Sequence, residues 1–231
     1  SVVTSGSTGS PKRLNLRKKK VIASAKATGA FFGFKENDTL LLNLSPNYIA
    51  GKLMIVRGLI HNMKIVVAPN SRNPLENLEP ADYDFGAFVP YQLTAILENE
   101  ASREAYQRIR NVIIGGAPMT PALEDQVKQL SNSTYATFGM TETITHFALR
   151  NISEGEETFQ CLPGVSVATD SRGCLVVNKN AVNSKLVTND VVELIGENRF
   201  HWKGRIDFVV NSGGIKLYPE ELERKLAPYL P

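Results

Sequence analysis

The sequence predicts an α/β fold, a mostly parallel sheet with packed helices followed by a smaller antiparallel β subdomain. Three observations predict it. Helical and extended segments alternate from residue 17 to residue 138. The extended segments are continuous apolar runs, as expected of strands covered on both faces. After Leu149 the texture changes to short runs separated by turn residues, the pattern of antiparallel strands.

The segments follow in order. Arg17–Phe32 reads as a helix with Val21, Ile22, Ala25, Gly29 and Phe32 on one side and Gly33 as its stop. Thr39–Leu44 is an apolar strand, Gly51–His61 a short helix, and Lys64–Ala68 a β-branched strand. Phe85–Val89 is a strand broken by Pro90, and Tyr91–Glu98 carries Leu93, Ile96 and Leu97 at helical spacing. Asn111–Ile114 is a strand ending in Gly115-Gly116. Pro121–Leu130 is a helix capped by Thr120, and Ser133–Phe138 is the next strand. The later runs are Val165–Ala168, Cys174–Val177, Leu186–Thr188, Val191–Ile195, Arg199–Trp202 and Phe208–Val210. Pro219 then occupies the first position of a new helix with acids in its first turn. These breaks divide the chain into residues 1–149, 150–203 and 204–231.

Composition excludes several classes. With 231 residues, 42% hydrophobic and 21% charged, the chain is neither collagen-like, disordered nor coiled-coil. No apolar run reaches the roughly 18 residues of a membrane span, so no membrane role is expected. Two cysteines, Cys161 and Cys174, make neither a disulfide framework nor a zinc quartet. They read as buried free thiols in a reducing, cytoplasmic compartment. Residues 1–35 hold eight basic residues and no acid. Without aromatic interleaving or a recognition motif, that bias reads as a solvated face beside a polyanion site rather than as a nucleic-acid arm.

The most informative stretch is Thr4-Ser5-Gly6-Ser7-Thr8-Gly9-Ser10-Pro11-Lys12. Its glycines permit tight backbone, its hydroxyls donate to oxygens, and Lys12 adds charge, a combination suited to polyphosphate. It is not a P-loop: Pro11 replaces the second glycine, and Arg13 the Ser/Thr that would meet magnesium. A flexible Ser/Gly linker is the bland alternative.

The stretch resembles the phosphate-binding signature of the adenylate-forming (AMP-binding) enzymes, which include acyl-CoA synthetases, luciferases and peptide-synthetase adenylation domains. Further motifs of that family follow in its order. The resemblance implies that Gly115-Gly116-Ala117-Pro118 lies along adenine. It implies that Phe138 of Phe138-Gly139-Met140-Thr141-Glu142 stacks on adenine, with Phe standing where the family has Tyr. Glu142 would ligate the magnesium carried by ATP, Thr8 would help hold charge, and Thr141 would lie near the adenylate. In Thr188-Asn189-Asp190, Asp190 would accept from the ribose hydroxyls. Asn189 replaces a glycine there, a change Asn tolerates by visiting positive φ. Arg205 of Lys203–Asp207 would reach ribose or phosphates, and Gly213-Gly214 would line a thiol tunnel. The resemblance makes residues 204–231 a hinge and the truncated start of a mobile C-terminal α+β domain, and Phe208 stands where that hinge is usually polar.

The family's catalytic lysine lies beyond Pro231; Lys216 and Lys225 are not at its motif. Both ends look cut from something longer, so residues 1–231 alone are expected to adenylate slowly. Within the family, the chain is most similar to the o-succinylbenzoate–CoA ligases. Arg57 matches an arginine that they direct at the acid's second carboxylate, and Tyr48 stands where many members place His at the acyl pocket. A surface helix arginine is the plain reading of Arg57. The implied partners are a small carboxylic acid, ATP with Mg2+, and coenzyme A. Rival readings are another aryl- or fatty-acyl-CoA ligase, an amino-acid adenylation domain, or an adenylate-binding module without turnover. His61 and His201 read as structural, and His146 either faces the acyl pocket or is a plain strand position.

Overall fold

The computed structural model describes residues 2–3, 13–179, 184–213 and 215–229. Two short strands, β1 (Val2–Val3) and β2 (Arg13–Leu14), pair antiparallel. The candidate phosphate loop Thr4–Lys12 between them lies outside the described residues, as does Gly214.

Helix α1 (Lys18–Phe32) ends at Gly33, whose left-handed φ of 65 closes the last turn. Then come β3 (Thr39–Leu42), α2 (Ile49–Ile60), β4 (Lys64–Val67), β5 (Tyr83–Phe88) and α3 (Pro90–Leu97). They are followed by α4 (Glu100–Gln107), β6 (Ile109–Ile114), α5 (Pro121–Val127) and β7 (Ser133–Gly139). Thr120 caps α5 as expected, its hydroxyl accepting from the Leu123 N–H at 3.3 Å. The strands β3 to β7 pair in parallel in the order β4-β3-β5-β6-β7.

The antiparallel part consists of β8 (His146–Asn151), β9 (Phe159–Cys161), β10 (Val165–Thr169), β11 (Cys174–Lys179), β12 (Ser184–Leu194) and β13 (Arg199–Arg205). It is larger than expected, and it continues the same sheet: β7 pairs antiparallel with β8, and β9, β13, β12, β11 and β10 follow. Leu186–Thr188 and Val191–Ile195 are one strand, irregular near Val191. Phe208 is not in a strand. A 3-10 turn, Ile206–Phe208, precedes the hairpin β14 (Val210–Ser212) and β15 (Ile215–Leu217), then α6 (Pro219–Leu226). Phe208 ends that turn with its ring 58% exposed.

Helices cover both faces of the parallel part. Leu40, Leu42 and Ile113 point to a core shared with Met54 of α2 and with Phe31 and Phe32 of α1. Leu41, Val112 and Ile114 point the other way, to Leu93 and Ile96 of α3, Tyr106 of α4, and Leu123 and Val127 of α5. That two-sided burial is why these strands read as unbroken apolar runs. No helix among the described residues is long and apolar enough to cross a membrane.

Tyr106 is fully buried, and its hydroxyl meets Thr134 Oγ1 at 2.9 Å. Tyr106→Phe strands the Thr134 hydroxyl and is expected to cost about 1–2 kcal/mol in urea unfolding. Cys161 and Cys174 are buried and free. Burial pushes the Cys161 thiol up to about 12 and raises that of Cys174. The folded chain thus holds both thiols neutral. This contribution to stability is complete below the ordinary thiol value of 9.0 and is lost as pH rises from there toward about 12. A thiol reagent at neutral pH should leave both cysteines unlabelled until denaturant is added, and the unfolding midpoint should fall above about pH 9.

Candidate functional site

In an open sheet with helices on both faces, ligands bind beyond the carboxyl ends of the parallel strands, where the chain changes direction across the sheet. Here that reversal falls at β3 and β5: β4 lies to one side of β3, and β5, β6 and β7 to the other. At its edge Asn43 Nδ2 donates to Gln92 Oε1 at 3.3 Å, and Gln92 Nε2 donates to the Ser71 carbonyl at 3.0 Å.

Two candidate segments emerge side by side from this end of the sheet. Gly115–Pro118 follows β6, and Gly139–Glu142 closes its neighbour β7 and opens the next turn. Thr137 Oγ1 donates to the Ile114 carbonyl at 3.0 Å and ties the two together. Gly116, Ala117 and Pro118 form an exposed lip, with Gly116 at φ 91, where a side chain would be strained. A Cβ on Gly139 would come within 2.5 Å of His146 Cα. Only glycine lets β8 run so close to the end of β7.

After Gly139 the chain makes a 3-10 turn, Thr141–Thr143. The buried Thr143 hydroxyl accepts the Met140 N–H at 2.9 Å, pinning the turn, and Glu142 stands exposed on it. Ile144 then adopts φ 74 and ψ −50, a γ-turn geometry that costs a β-branched residue strain. The strain sets Thr145 and His146 against α1 and α2. The Phe138 ring is half-buried, edge-on to Phe147, Phe159 and Phe200 with centroids 5.1–5.7 Å away.

Arg57 departs from the plain reading of a surface helix arginine. It is 2% exposed, on the face of α2 that also buries Leu53, Met54 and Gly58. Its Nη1 lies 3.5 Å from Met54 Sδ, and Nη2 donates to Thr145 Oγ1 at 3.3 Å. Nε has no partner, and no described acid pairs with the group. Desolvation lowers its pKa to about 10, so it remains a cation at neutral pH. Tyr48 is not beside it. That residue precedes the first turn of α2, is 69% exposed, and stands nine residues away, about 14 Å along the axis.

Asp190 and Arg205 oppose each other on β12 and β13. Trp202 Nε1 donates to Asp190 Oδ1 at 3.1 Å; Oδ2 makes no bond to a described residue. Arg205 is engaged with Asp207, Nη2 at 2.6 Å and Nε at 3.2 Å from Oδ2. Asn189 needs no positive φ: it lies within β12, and its amide donates to Asp207 Oδ1 at 3.2 Å. Gly213 turns the β14–β15 hairpin at φ 59. His61 bonds the Ala25 carbonyl across α1, and His201 receives Arg224 Nη2 at 2.9 Å. Among the described residues no three His, Cys, Asp or Glu gather into a metal site.

The structure thus brings Gly115–Pro118, Phe138–Glu142 and the turn beside Arg57 to one end of the sheet. Sequence reasoning missed Asn43, Gln92, Thr28, Thr145 and Trp202. Their signal is burial of a polar group, which a single sequence does not display.

Comparison with known proteins places this arrangement. A 2-succinylbenzoate–CoA ligase of Bacillus cereus is 25% identical across 97% of this chain, and one of Escherichia coli K12 is 24% identical across 98%. The chain spans about half the length of each, 53% and 52%. Among solved structures, an acyl-CoA synthetase (AMP-forming)/AMP-acid ligase II-like protein from Dyadobacter fermentans is 40% identical with a TM-score of 0.86, over 98% of this chain and 65% of that one. The o-succinylbenzoate CoA synthetase of Bacillus subtilis, in complex with its acyl-adenylate intermediate, shares the fold at 22% identity and a TM-score of 0.80, over 98% of this chain and 53% of that one. Residues 2–180 match the AMP-binding enzyme family, and the chain belongs to it.

Proposed function

We propose that the protein is part of an ATP-dependent acid–CoA ligase, forming an acyl-adenylate and then a thioester, and that its acid is the dianion 2-succinylbenzoate. The single observation that carries the acid assignment is the buried guanidinium of Arg57 with no acidic partner. A buried cation left alone costs several kcal/mol. A second carboxylate on the substrate would remove that cost by two parallel N–H···O bonds, which a monoanionic acid lacks. The names of the curated relatives support the same reading.

In this proposal Gly115–Pro118 and Phe138 hold the adenine, Asp190 accepts from the ribose, and Arg205 lies near ribose or phosphates. Thr4–Lys12, with Thr8 and Lys12 foremost, holds the phosphate oxygens. Thr141 lies by the reacting carboxylate, Tyr48 borders the acid's entry, and Gly213-Gly214 borders the thiol's. Residues 204–231 begin the part that rotates between the two steps. For magnesium the residues fit: Glu142 is exposed and unpaired with any described cation, and one carboxylate plus phosphate oxygens is a usual magnesium set. Bound with ATP, the ion would neutralise phosphate charge. The protein's own contribution is positioning and fixed dipoles around an attack that a free carboxylate makes poorly. A reducing cytoplasm suits this chemistry and the two free thiols.

Two measurements test the proposal. Trp202 is the chain's only tryptophan and holds Asp190, so saturating Mg·ATP or AMP should change its emission, and Asp190→Ala should weaken that response about 10-fold or more. An emission that ignores both nucleotides counts against the nucleotide site. In an acid panel read by pyrophosphate release from the full-length protein, 2-succinylbenzoate should exceed benzoate and fatty acids. Arg57→Ala should lower kcat/KM for it by about 100-fold, the loss of a charge-assisted pair, and spare benzoate. Equal rates on all acids would remove the 2-succinylbenzoate assignment.

A further inference from the structure

The Arg57 guanidinium is the head of a polar chain that links α2, the start of β8 and α1. Its Nη2 donates to Thr145 Oγ1 at 3.3 Å. Thr145 Oγ1 lies 3.3 Å from His146 Nδ1, and His146 Nε2 lies 3.2 Å from Thr28 Oγ1 on α1. Thr28 donates its one hydroxyl proton to the Ser24 carbonyl at 3.2 Å. A carbonyl only accepts, and with the Thr28 proton on it the directions of the earlier bonds follow. Thr28 has spent its proton and accepts from His146 Nε2–H. In the neutral imidazole Nδ1 is then bare and accepts the Thr145 hydroxyl proton. Thr145 therefore turns a lone pair toward Arg57.

Burial makes this order count. Arg57, His146 and Thr28 are 2%, 5% and 0% exposed. Water is not at hand to replace a misdirected bond, and a low dielectric strengthens each correct one. The strained Ile144 turn holds Thr145 and His146 in place. Arg57 is long and rotamer-rich, and Thr145 and Met54 Sδ account for its two Nη contacts.

We propose that Thr28 and His146 are positioning residues that, through Thr145, hold the Arg57 guanidinium in the orientation that receives a substrate carboxylate. They do not touch the reacting atoms. The proposal deepens the reading of Arg57 as receptor for the second carboxylate and rests on it. Ordering the side chain in advance removes a cost otherwise met on binding.

The test titrates the full chain calorimetrically with 2-succinylbenzoate and with benzoate. Thr28→Val and His146→Leu should each raise the Kd of 2-succinylbenzoate by about 3- to 10-fold and leave that of benzoate unchanged. His146→Gln, whose amide can accept from Thr145 and donate to Thr28, should recover most of the loss. Equal weakening of both acids, or no change in either, overturns the proposal. Arg57→Met separates it from the reading beneath: if that variant keeps its preference for 2-succinylbenzoate, the receptor reading fails and the proposal with it. If Arg57→Met loses the preference while Thr28→Val and His146→Leu keep it, the proposal fails alone. An independent check needs no variant. Nitrogen NMR of histidine-labelled protein should show His146 protonated at Nε2 and bare at Nδ1; the opposite tautomer overturns the relay.

Discussion

Four phenylalanines hold together the point on which the fold turns. Phe138, Phe147, Phe159 and Phe200 come from β7, β8, β9 and β13, the strands across which the sheet passes from parallel to antiparallel pairing. Phe147 and Phe200 are fully buried, and Phe138 meets its neighbours edge-on, the arrangement aromatic quadrupoles favour. The cluster packs over the run of paired strands that ties the loop ending β7 to β12 and β13. The proposed adenine and ribose contacts lie on those separate parts, so the proposed nucleotide site depends on ring contacts of which Phe138 alone would meet the nucleotide.

The other constraint is electrostatic. The α2 helix buries Arg57 among apolar neighbours, and the described chain offers it a hydroxyl and a thioether but no acid. A fold that needed only stability would fill this place with a hydrophobic side chain, since buried charges are commonly replaced without loss. In the proposed function this cation, with its unpartnered Nε, is half of a pair whose other half is a ligand. The strained backbone at Ile144 fits the same view, because strain persists where surrounding structure holds it for a purpose.

Much of this was legible beforehand. The buried strands β3, β5 and β6 announce themselves as apolar runs, and Thr120 marks the start of α5 by its side-chain chemistry. Helix α4 escaped because it buries only Ser102 and Tyr106, too few positions to make a period. Its cap, Asn99 accepting from the Ser102 N–H at 2.9 Å, was the signal available. Strand β8 escaped because its apolar run is only Phe147–Leu149, set between the polar His146 and Arg150. The Leu186–Ile195 region looked like two strands because polar Asn189 and Asp190 interrupt it; the ladder tolerates them because Asn189 binds Asp207 and Asp190 binds Trp202.

By itself the sequence determined the family, the order of the parallel strands β3 to β7 and the segments that emerge beyond β6 and β7. Those features rest on local chemistry: glycines where backbone must come close, hydroxyls and a lysine where phosphate would lie, apolar runs where a strand is covered twice. Only the tertiary structure decided which polar groups are deprived of water. Arg57 reads as an ordinary helix arginine, and His146 as a strand residue, until α1, α2 and the Ile144 turn close around them. Burial is a property of what distant segments do together, and it is burial that sets this arginine apart as the proposed receptor for charge.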